Sequence, residues 1–489
     1  MIPSRKLVRA ALAALLVAGS AALQGCAVNP ATGQQSFTGF MSPQDELKVG
    51  REQHPEILKQ FGCAYSNAAL AAYVQQVGLA LARQSELPDL AFTFTVLNSP
   101  AVNAFALPGG YVYVTRGLLA LAGDEAEMAG VLAHEIGHVI ARHAAQRYSQ
   151  SVIAAGVTPL LGVVVGDLAE IAQLGAAAYL QSYSRDQEFQ SDELGVRYLT
   201  RAGYDPRAMA SFLSKLLEDS KIAAEAAGRA GEADRFDLFA THPRTLDRVE
   251  RALAEAKERP IANPRRGREE YLPRIDGMLY CDDPDHGLVR GRVFAHPEFR
   301  VRFEVPEGYR LANGARQVQA QGPDGALIVF DRAPRPSGAR ALDYLTGGWS
   351  QGLRLSDPEA ITIDGLDAAT AWSQVRSARG PRDMRLVAIR VDSTTIYRFT
   401  FLTAPQTTAA QAEGQRRTAY SFHRLGEVEA ARLKGQRLRV QTARAGDTTE
   451  RLSAGFGADA FRLRRFANVN DLPPGTVPQT GQPVKVIEE

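Results

Sequence analysis

The stretch that decides the fold is His134-Glu135-Ile136-Gly137-His138, inside a predicted helix that begins near Asp124 and continues for about seven turns. Residues four apart on an α-helix lie on the same face, so the two imidazoles can approach one point while Glu135 lies beside them. This arrangement is typical of a zinc-dependent peptidase. The five-residue pattern also occurs by chance in unrelated proteins, so the rest of the chain must supply the context.

Zinc at a catalytic site usually takes three protein ligands and leaves one position for water. We therefore predict one Zn²⁺ per chain, held by His134, His138 and a third residue from a neighbouring helix. Glu135 can take a proton from the water as general base and later protonate the leaving amine. Glu188 fits the third ligand, and Asp192, one turn later, can hydrogen-bond a liganding imidazole.

These residues, together with the stretch 103–119, resemble the M48 family of metallopeptidases. The resemblance covers about Ser42 to Glu250, which is under half of the chain. It implies a mainly helical gluzincin-type metallopeptidase domain with a small β-sheet and a glutamate as third zinc ligand.

In such enzymes an edge strand beside the zinc helix binds the substrate in extended form. The resemblance therefore predicts that substrate is bound by Asn103, Ala104, Phe105, Ala106 and Gly109. The alternative is a plain hairpin with a Pro-Gly-Gly turn, and both can be true.

His242, followed by a proline and by Arg248, resembles a histidine that M48 enzymes carry on a loop near the metal. In some periplasmic relatives that histidine occupies the open zinc position at rest, and elsewhere it can stabilise the oxyanion. The alternative is a structural His-Pro turn. Since His143 comes nine residues after His134, an unbroken helix would put it on the opposite face, and we do not expect it to be a ligand.

The N-terminus has the pattern of an export signal. Three basic residues precede the apolar run Ala10–Leu23, which is too short to span a bilayer. The segment 23–26 resembles a bacterial lipobox, so we predict a lipoprotein signal peptide over 1–25 and lipidation of Cys26. Simple secretion or an uncleaved anchor is the alternative. Because Ala27 is not an aspartate, the resemblance favours the inner leaflet of the outer membrane.

Two further cysteines, Cys63 and Cys281, form an even pair in a chain predicted to reach an oxidising compartment. They are either joined in a disulfide or present as two independent thiols, and the sequence does not decide between these alternatives.

The composition is that of an ordinary globular protein. The 489 residues are 45% hydrophobic and 22% charged, and their length favours two to four domains. A formal net charge of +2 provides no basic excess, so we expect no nucleic acid partner. The apolar stretch 151–183 is interrupted by Pro159, Asp167 and Glu170, which favours buried or membrane-facing helices over a membrane span.

The whole chain is predicted to be α+β. We place the metallopeptidase domain at 26–262, a linker at 263–284 and an α+β domain at 285–430, which is reminiscent of PsbP-like extensions. The segment 436–489 resembles a divergent LysM module. LysM modules bind glycans such as peptidoglycan, and the alternative is a purely structural cap.

The resulting hypothesis is a periplasmic, lipid-anchored zinc metalloendopeptidase that acts on misfolded or misassembled envelope proteins. Two alternatives stay open. One is a chaperone-like or cell-wall-binding scaffold whose protease site is mostly closed by His242, and the other is a peptidoglycan hydrolase that uses zinc against cross-link peptides.

Overall fold

The computed structural model describes residues 26–154, 182–228, 242, 246–314, 317–334, 339–377, 380–473 and 475–489. They fall into two compact units. The first unit contains Cys63–Tyr280 and Arg437–Glu488 together with the described residues up to Lys59, and the second is built around Cys281–Gln436. The predicted signal peptide and most of the apolar stretch 151–183 lie outside the described residues.

The first unit is mainly helical, as the sequence predicts. Its helices before residue 281 are α1 Pro43–Gln60, α2 Ala68–Ala82, α3 Arg116–Leu121, α4 Glu125–Ile140, α5 His143–Ala154, α6 Arg185–Arg201, α7 Arg207–Ala226, α8 Leu246–Glu258 and α9 Arg268–Ile275.

Helix α4, which carries the histidine motif, runs through the core of this unit. The Asp124 side chain accepts a hydrogen bond from the Glu127 amide and caps the helix at its N-terminus. Every residue of α4 except Val139 is buried. A helix that is buried on all sides must pack against other elements all round, and α4 contacts α2, α6 and α7.

The strands of the first unit form small sheets. Strands β1 Cys26–Val28 and β2 Gln35–Phe37 pair antiparallel. A three-stranded sheet consists of β3 Thr93–Leu97, β4 Ala104–Leu107 and β5 Tyr111–Thr115 in the order β3-β5-β4.

Strand β4 lies at an edge of the three-stranded sheet and pairs antiparallel with β5, while β3 pairs parallel with β5. Gly109 and Gly110 form the turn between β4 and β5 with φ of +80° and +88°, a conformation that glycine adopts without strain. The predicted hairpin with a Pro-Gly-Gly turn is therefore confirmed.

The segment 263–284 is not a linker in the structure, although its polar composition predicts one. Helix α9 buries Tyr271, whose hydroxyl donates to the carbonyl oxygen of Leu119 at 2.5 Å. The Arg266 guanidinium donates to Asp124 at 2.7 Å. The polar residues that suggested a solvated linker are partners of charged groups at the start of α4.

The second unit is α+β, as predicted. Its strands are β6 Leu288–Arg290, β7 Val293–His296, β8 Val301–Glu304, β9 Arg310–Asn313, β10 Gln317–Gln321, β11 Leu327–Pro334, β12 Ser356–Ile363, β13 Leu366–Ser377, β14 Gly380–Arg390, β15 Thr395–Thr403 and β16 His423–Arg424. One sheet has the strand order β12-β13-β14-β15-β11-β10-β9 and another has the order β16-β8-β7-β6. The helices are α10 Ala341–Tyr344, α11 Thr408–Tyr420 and α12 Glu427–Ala431.

The C-terminal segment returns to the first unit. Strands β17 Arg437–Thr442 and β18 Pro483–Glu488 pair antiparallel and enclose the helices α13 Thr449–Leu452 and α14 Arg462–Val469. Leu438, Phe466 and Val484 belong to the same hydrophobic core as helix α4. The segment that resembles a LysM module is thus part of the core of the first unit.

Lys485 of strand β18 is fully buried. Its Nζ donates to the carbonyl oxygens of Ala120 and Ala122, at 2.8 and 2.7 Å, where helix α3 ends. The last carbonyls of a helix have no partner within the helix, so the buried amine of Lys485 supplies hydrogen bonds that they would otherwise lack. Lys485 therefore ties the C-terminal segment to the element that precedes α4.

No helix among the described residues is long and apolar enough to cross a membrane.

Replacing Lys485 by alanine should destabilise the first unit, because at least two buried carbonyl groups would lose their partner. We expect the free energy of unfolding to fall by about 2–4 kcal/mol, measured by urea denaturation. The exposed Lys434 provides the control, since Lys434→Ala should leave the unfolding curve unchanged. A Lys485→Ala protein as stable as the wild type would contradict this role.

Candidate metal centre

Two helices bring the predicted metal ligands together. The Nε2 atoms of His134 and His138 on α4 lie 3.0 Å apart. Glu188 on α6 faces them, with Oε2 3.6 Å from His134 Nε2 and Oε1 3.4 Å from His138 Nε2. The structure therefore converges two imidazoles and one carboxylate on one point.

His242 lies at the same point. Its Nδ1 is 2.8 Å from Oε1 of Glu188 and 3.2 Å from Nε2 of His134. The ligand atoms of His134, His138, Glu188 and His242 all lie within 4.8 Å of one another, so the four residues could hold a metal ion. His242, which the resemblance places on a loop near the metal, is thus close enough to the other three residues to share a metal ion with them.

The surroundings of the two histidines fit a metal. His134 Nδ1 lies 2.9 Å from Oδ1 of Asp192, and His138 Nδ1 lies 2.8 Å from Nδ1 of His143. When the outer nitrogen of a metal-binding imidazole has such a neighbour, the inner nitrogen can turn its lone pair to the ion. Glu135 Oε2 is buried and has no hydrogen-bond partner among the residues that the structure describes, as expected beside a site that takes a further polar group.

Glycines allow helices α4 and α6 to approach closely. A Cβ on Gly195 would lie 2.4 Å from Met209 Cε and 3.2 Å from the backbone nitrogen of His134. A Cβ on Gly137 would lie 3.2 Å from Leu194 Cβ. These contacts are tighter than ordinary packing allows, so side chains here would push Glu188 away from the histidines.

The start of helix α6 is set by a capping box. The Ser184 hydroxyl accepts from the Gln187 amide at 3.3 Å, and the Gln187 side chain accepts from the Ser184 amide at 3.1 Å. Glu188 follows directly, in the first turn, and Asp192 lies one turn later on the same buried face.

Arg248 on α8 compensates the buried carboxylates. Its Nε donates to Oδ2 of Asp192 and its Nη2 donates to Oδ1, both at 2.7 Å. Its Nη1 lies 2.7 Å from Oε2 of Glu188. Burial alone would raise the pKa of Asp192, but the charge of Arg248 and the hydrogen bonds with Arg248 and His134 together lower that pKa. Burial raises the pKa of Glu135, which keeps this carboxyl ready to hold a proton.

The position of His143 differs from the sequence prediction. Helix α4 ends at Ile140, and Arg142 takes a φ of 57°, so α5 begins in a new direction. The predicted unbroken helix, and with it the placement of His143 on the opposite face, is wrong. His143 Nε2 lies 2.7 Å from Gln190 Oε1 and its Nδ1 faces His138, so it orients a candidate ligand without joining the cluster.

Tyr183 was also missed by sequence reasoning. Its ring stacks on His138 with 3.9 Å between ring centroids, and the Arg147 guanidinium lies 4.5 Å from the Tyr183 ring centroid. Burial raises the pKa of Tyr183 to about 12. Nothing in the spacing of Tyr183 relative to His138 signals this contact.

The predicted substrate-binding residues divide into different environments. Asn103 and Ala104 line a cavity together with His134 and Glu135, and Ala106 lines a second cavity with His138. Two others lie in neither cavity: Phe105 stacks on Tyr113, and Gly109 forms the turn.

Cys63 is exposed in the first unit, and Cys281 belongs to the second unit. The disulfide between them stays a prediction. Cys26 begins strand β1.

A known protein family matches the part of the chain that contains these residues. The family model described as Peptidase family M48 matches residues 68–256, which include every candidate ligand and Arg248. This segment is therefore similar to the M48 peptidase family. The match, like the sequence resemblance, does not extend to the second unit or to the C-terminal segment.

Several curated proteins that are similar to this chain are named as proteases. The beta-barrel assembly-enhancing protease of Escherichia coli K12 is 30% identical over 63% of this chain and 63% of its own length. The putative beta-barrel assembly-enhancing protease of Vibrio cholerae is 32% identical over 44% and 45% of the two chains. The mitochondrial metalloendopeptidase OMA1 of Arabidopsis thaliana is 34% identical over 33% and 31%. The chain thus spans less than two thirds of the length of these relatives.

Solved structures also match parts of the chain. The solution structure of cyanobacterial PsbP from Synechocystis sp. PCC 6803 is 17% identical and covers 28% of this chain and 98% of its own, with a TM-score of 0.22.

Replacing His143 by alanine should weaken metal binding by about 10–100-fold, because the His138 ring would lose the neighbour that orients it. Zinc affinity can be measured by competition with a chromophoric chelator. His54→Ala is the matched control, since His54 bonds Tyr113 and does not touch the cluster. Equal zinc affinities of the wild type and His143→Ala would show that His138 is oriented by other contacts.

Proposed function

We propose that the chain is a zinc metalloendopeptidase of the bacterial cell envelope. The observation that carries the proposal is the convergence of His134, His138 and Glu188 beside the buried Glu135. Two imidazoles and a carboxylate are a ligand set of catalytic zinc sites in peptidases.

The chemistry follows from the positions of these side chains. Zinc, when bound, supplies a Lewis acid that polarises a peptide carbonyl and lowers the pKa of a water molecule. Glu135 holds the proton removed from that water, and its buried, raised-pKa carboxyl can release the proton to the leaving amine. Arg248 contacts Glu188 and Asp192 and holds both carboxyl groups ionised. The candidate ligand Glu188 and the His134 partner Asp192 therefore keep their charge in a buried site.

Strand β4 can bind the substrate backbone. It lies at the edge of its sheet, and its residues line cavities on either side of the candidate metal centre. An extended peptide can add to such an edge through main-chain hydrogen bonds. The proposed substrate-binding role of Asn103, Ala104 and Ala106 rests on this placement.

Replacing Glu135 by glutamine should reduce cleavage of casein or denatured porin by about 10²–10⁴-fold, because glutamine cannot take the proton. Zinc content should not change. Glu193→Gln on the partly exposed face of α6 is the matched control and should cleave like the wild type. Wild-type cleavage rates in Glu135→Gln would rule out the proposed mechanism, and full zinc retention by Glu188→Ala would exclude Glu188 as the third ligand.

We further propose that His242 is a gate. Its Nδ1 contacts Glu188, and its Nε2 lies 3.3 Å from Oε1 of Glu135. In this position the imidazole competes with water and substrate for both the ligand cluster and the general base. The enzyme would then rest in a closed state.

The gate predicts that His242→Ala cleaves denatured substrate faster than the wild type, because the competing imidazole is removed. Initial cleavage rates at equal zinc loading measure the effect, with His286→Ala in the second unit as control. Lost activity would indicate that His242 assists catalysis instead, and an unchanged rate would exclude both roles.

The proposed substrates are misfolded or misassembled envelope proteins. This proposal is supported by the export-type N-terminus and by relatives named for beta-barrel assembly. We also propose that lipid on Cys26 anchors the protein at the inner leaflet of the outer membrane. Absence of lipid from the purified wild-type protein by mass spectrometry would exclude the anchor.

A second candidate role is glycan binding by residues 436–489. It is favoured by the order strand, helix, helix, strand in this segment and by its LysM-like sequence. Failure of the full chain to sediment with purified peptidoglycan sacculi would argue against it. Release of muropeptides from those sacculi would instead favour the peptidoglycan hydrolase.

A scaffold function is the remaining alternative. If Glu135→Gln restores the cellular function of a deletion strain as well as the wild type does, peptide hydrolysis is not the main role of the chain.

A further inference from the structure

An apolar cavity opens directly beside the general base. Its empty volume is about 490 Å³, including the part open to solvent. Glu135, His134 and His242 line it, together with Ala104 of the edge strand and Asn103 directly before it. The remaining walls come from helix α7, from α3 and from the first half of α4.

Most of the other residues that line this cavity are hydrophobic. They are Val102, Leu118, Val131, Met209, Phe212, Leu213 and Leu216. Arg248 also lines the cavity, but its guanidinium is paired with Glu188 and Asp192. A charged group placed among these walls would lose its hydration without gaining a partner, whereas an apolar group would be removed from water at no such cost.

Helix α7 is held rigidly, so the cavity is preformed. Ser211 and Lys215 on α7 contact the two carboxylate oxygens of the buried Glu127 on α4, at 2.7 and 2.9 Å. From the other side, Arg464 of the C-terminal segment pairs with Glu218 on α7 at 2.8 Å. Walls fixed in this way discriminate by size as well as by polarity.

The direction of the bound peptide follows from the two ends of β4. The N-terminal end, Ala104, lines the apolar cavity beside Glu135, while Ala106 and Leu107 line a smaller cavity of about 200 Å³ beside His138. Antiparallel pairing is the more favourable arrangement for an added strand. A peptide antiparallel to β4 runs from the His138 side to the Glu135 side, so the residue after the cleaved bond faces the apolar cavity.

We propose that this cavity selects the residue directly after the cleaved bond, and that it takes large apolar side chains such as Leu, Ile, Met and Phe. The inference rests on the proposed peptidase function and names its substrate class. Such side chains are largely buried in folded proteins, so the pocket directs cleavage to unfolded or unassembled chains.

Cleavage-site mapping tests the proposal. The zinc-loaded full-length protein is incubated with a peptide library made from a bacterial proteome, and the cut sites are read by mass spectrometry. We expect large apolar residues directly after the cut at least about tenfold more often than charged residues, corrected for abundance. Equal frequencies would overturn the proposal, and so would an apolar preference confined to the residue before the cut.

Two variants separate the pocket from general stability. Two peptides are compared, one with Trp and one with Val directly after the cleaved bond. Phe212→Ala enlarges the cavity, so kcat/KM for the Trp peptide should rise about tenfold relative to kcat/KM for the Val peptide. Leu217→Ala removes a buried side chain from the same helix outside the cavity and should leave this ratio unchanged. Because the ratio does not depend on the folded fraction, equal changes in both variants would overturn the assignment.

Binding without turnover keeps this test distinct from the proposed function. Peptide hydroxamates that differ only in an isobutyl or a carboxyethyl side chain can be titrated into the zinc-loaded protein by calorimetry. We expect at least about tenfold tighter binding of the isobutyl compound. Equal affinities would overturn the pocket even if peptides are cleaved, whereas a large difference without any cleavage would support the pocket and count against the peptidase.

Discussion

The pairing of Arg248 with two buried carboxylates is the interaction on which the candidate site depends. Glu188 and Asp192 are almost completely inaccessible to solvent, and so is the adjacent Glu135. Burying an unpaired carboxylate is costly enough that it would take up a proton instead. Arg248 contacts both of these carboxylates on α6. Glu188 can therefore face the imidazoles as an anion, and Asp192 can orient His134.

The packing of helices converts this charge arrangement into a centre of defined geometry. Glycines on α4 and α6 let the two backbones approach, so the Nε2 atoms of His134 and His138 lie 3.6 and 3.4 Å from the Glu188 carboxylate. Helix α7 closes the other side of α4 and walls the apolar cavity. The C-terminal segment supports this wall through Arg464 and ties down the end of α3 through Lys485. A segment distant in sequence thus contributes to the shape of the site.

The sequence predicts local spacing well and changes of chain direction poorly. The sequence correctly places His134 and His138 on one helix face, and Glu188 and Asp192 on another, because the helix fixes the direction of residues four apart. His143 was misplaced because the backbone turns at Arg142, where φ is positive although the residue is neither glycine nor asparagine. The sequence predicts a linker over 263–284 because its arginines resemble solvated residues. The structure shows that Arg266 in this segment pairs with the buried Asp124.

By itself, the sequence determined which chemical groups the site contains: two imidazoles and a glutamate on one helix, and a glutamate and an aspartate one turn apart on another. Periodicity is enough for this, since it depends on neighbours within a few residues. Only the tertiary structure decided that Tyr183 and His143 enclose the His138 ring, that His242 faces Glu135, and that Lys485 is buried. These contacts join residues from separate elements, and their partners depend on how the helices and strands pack.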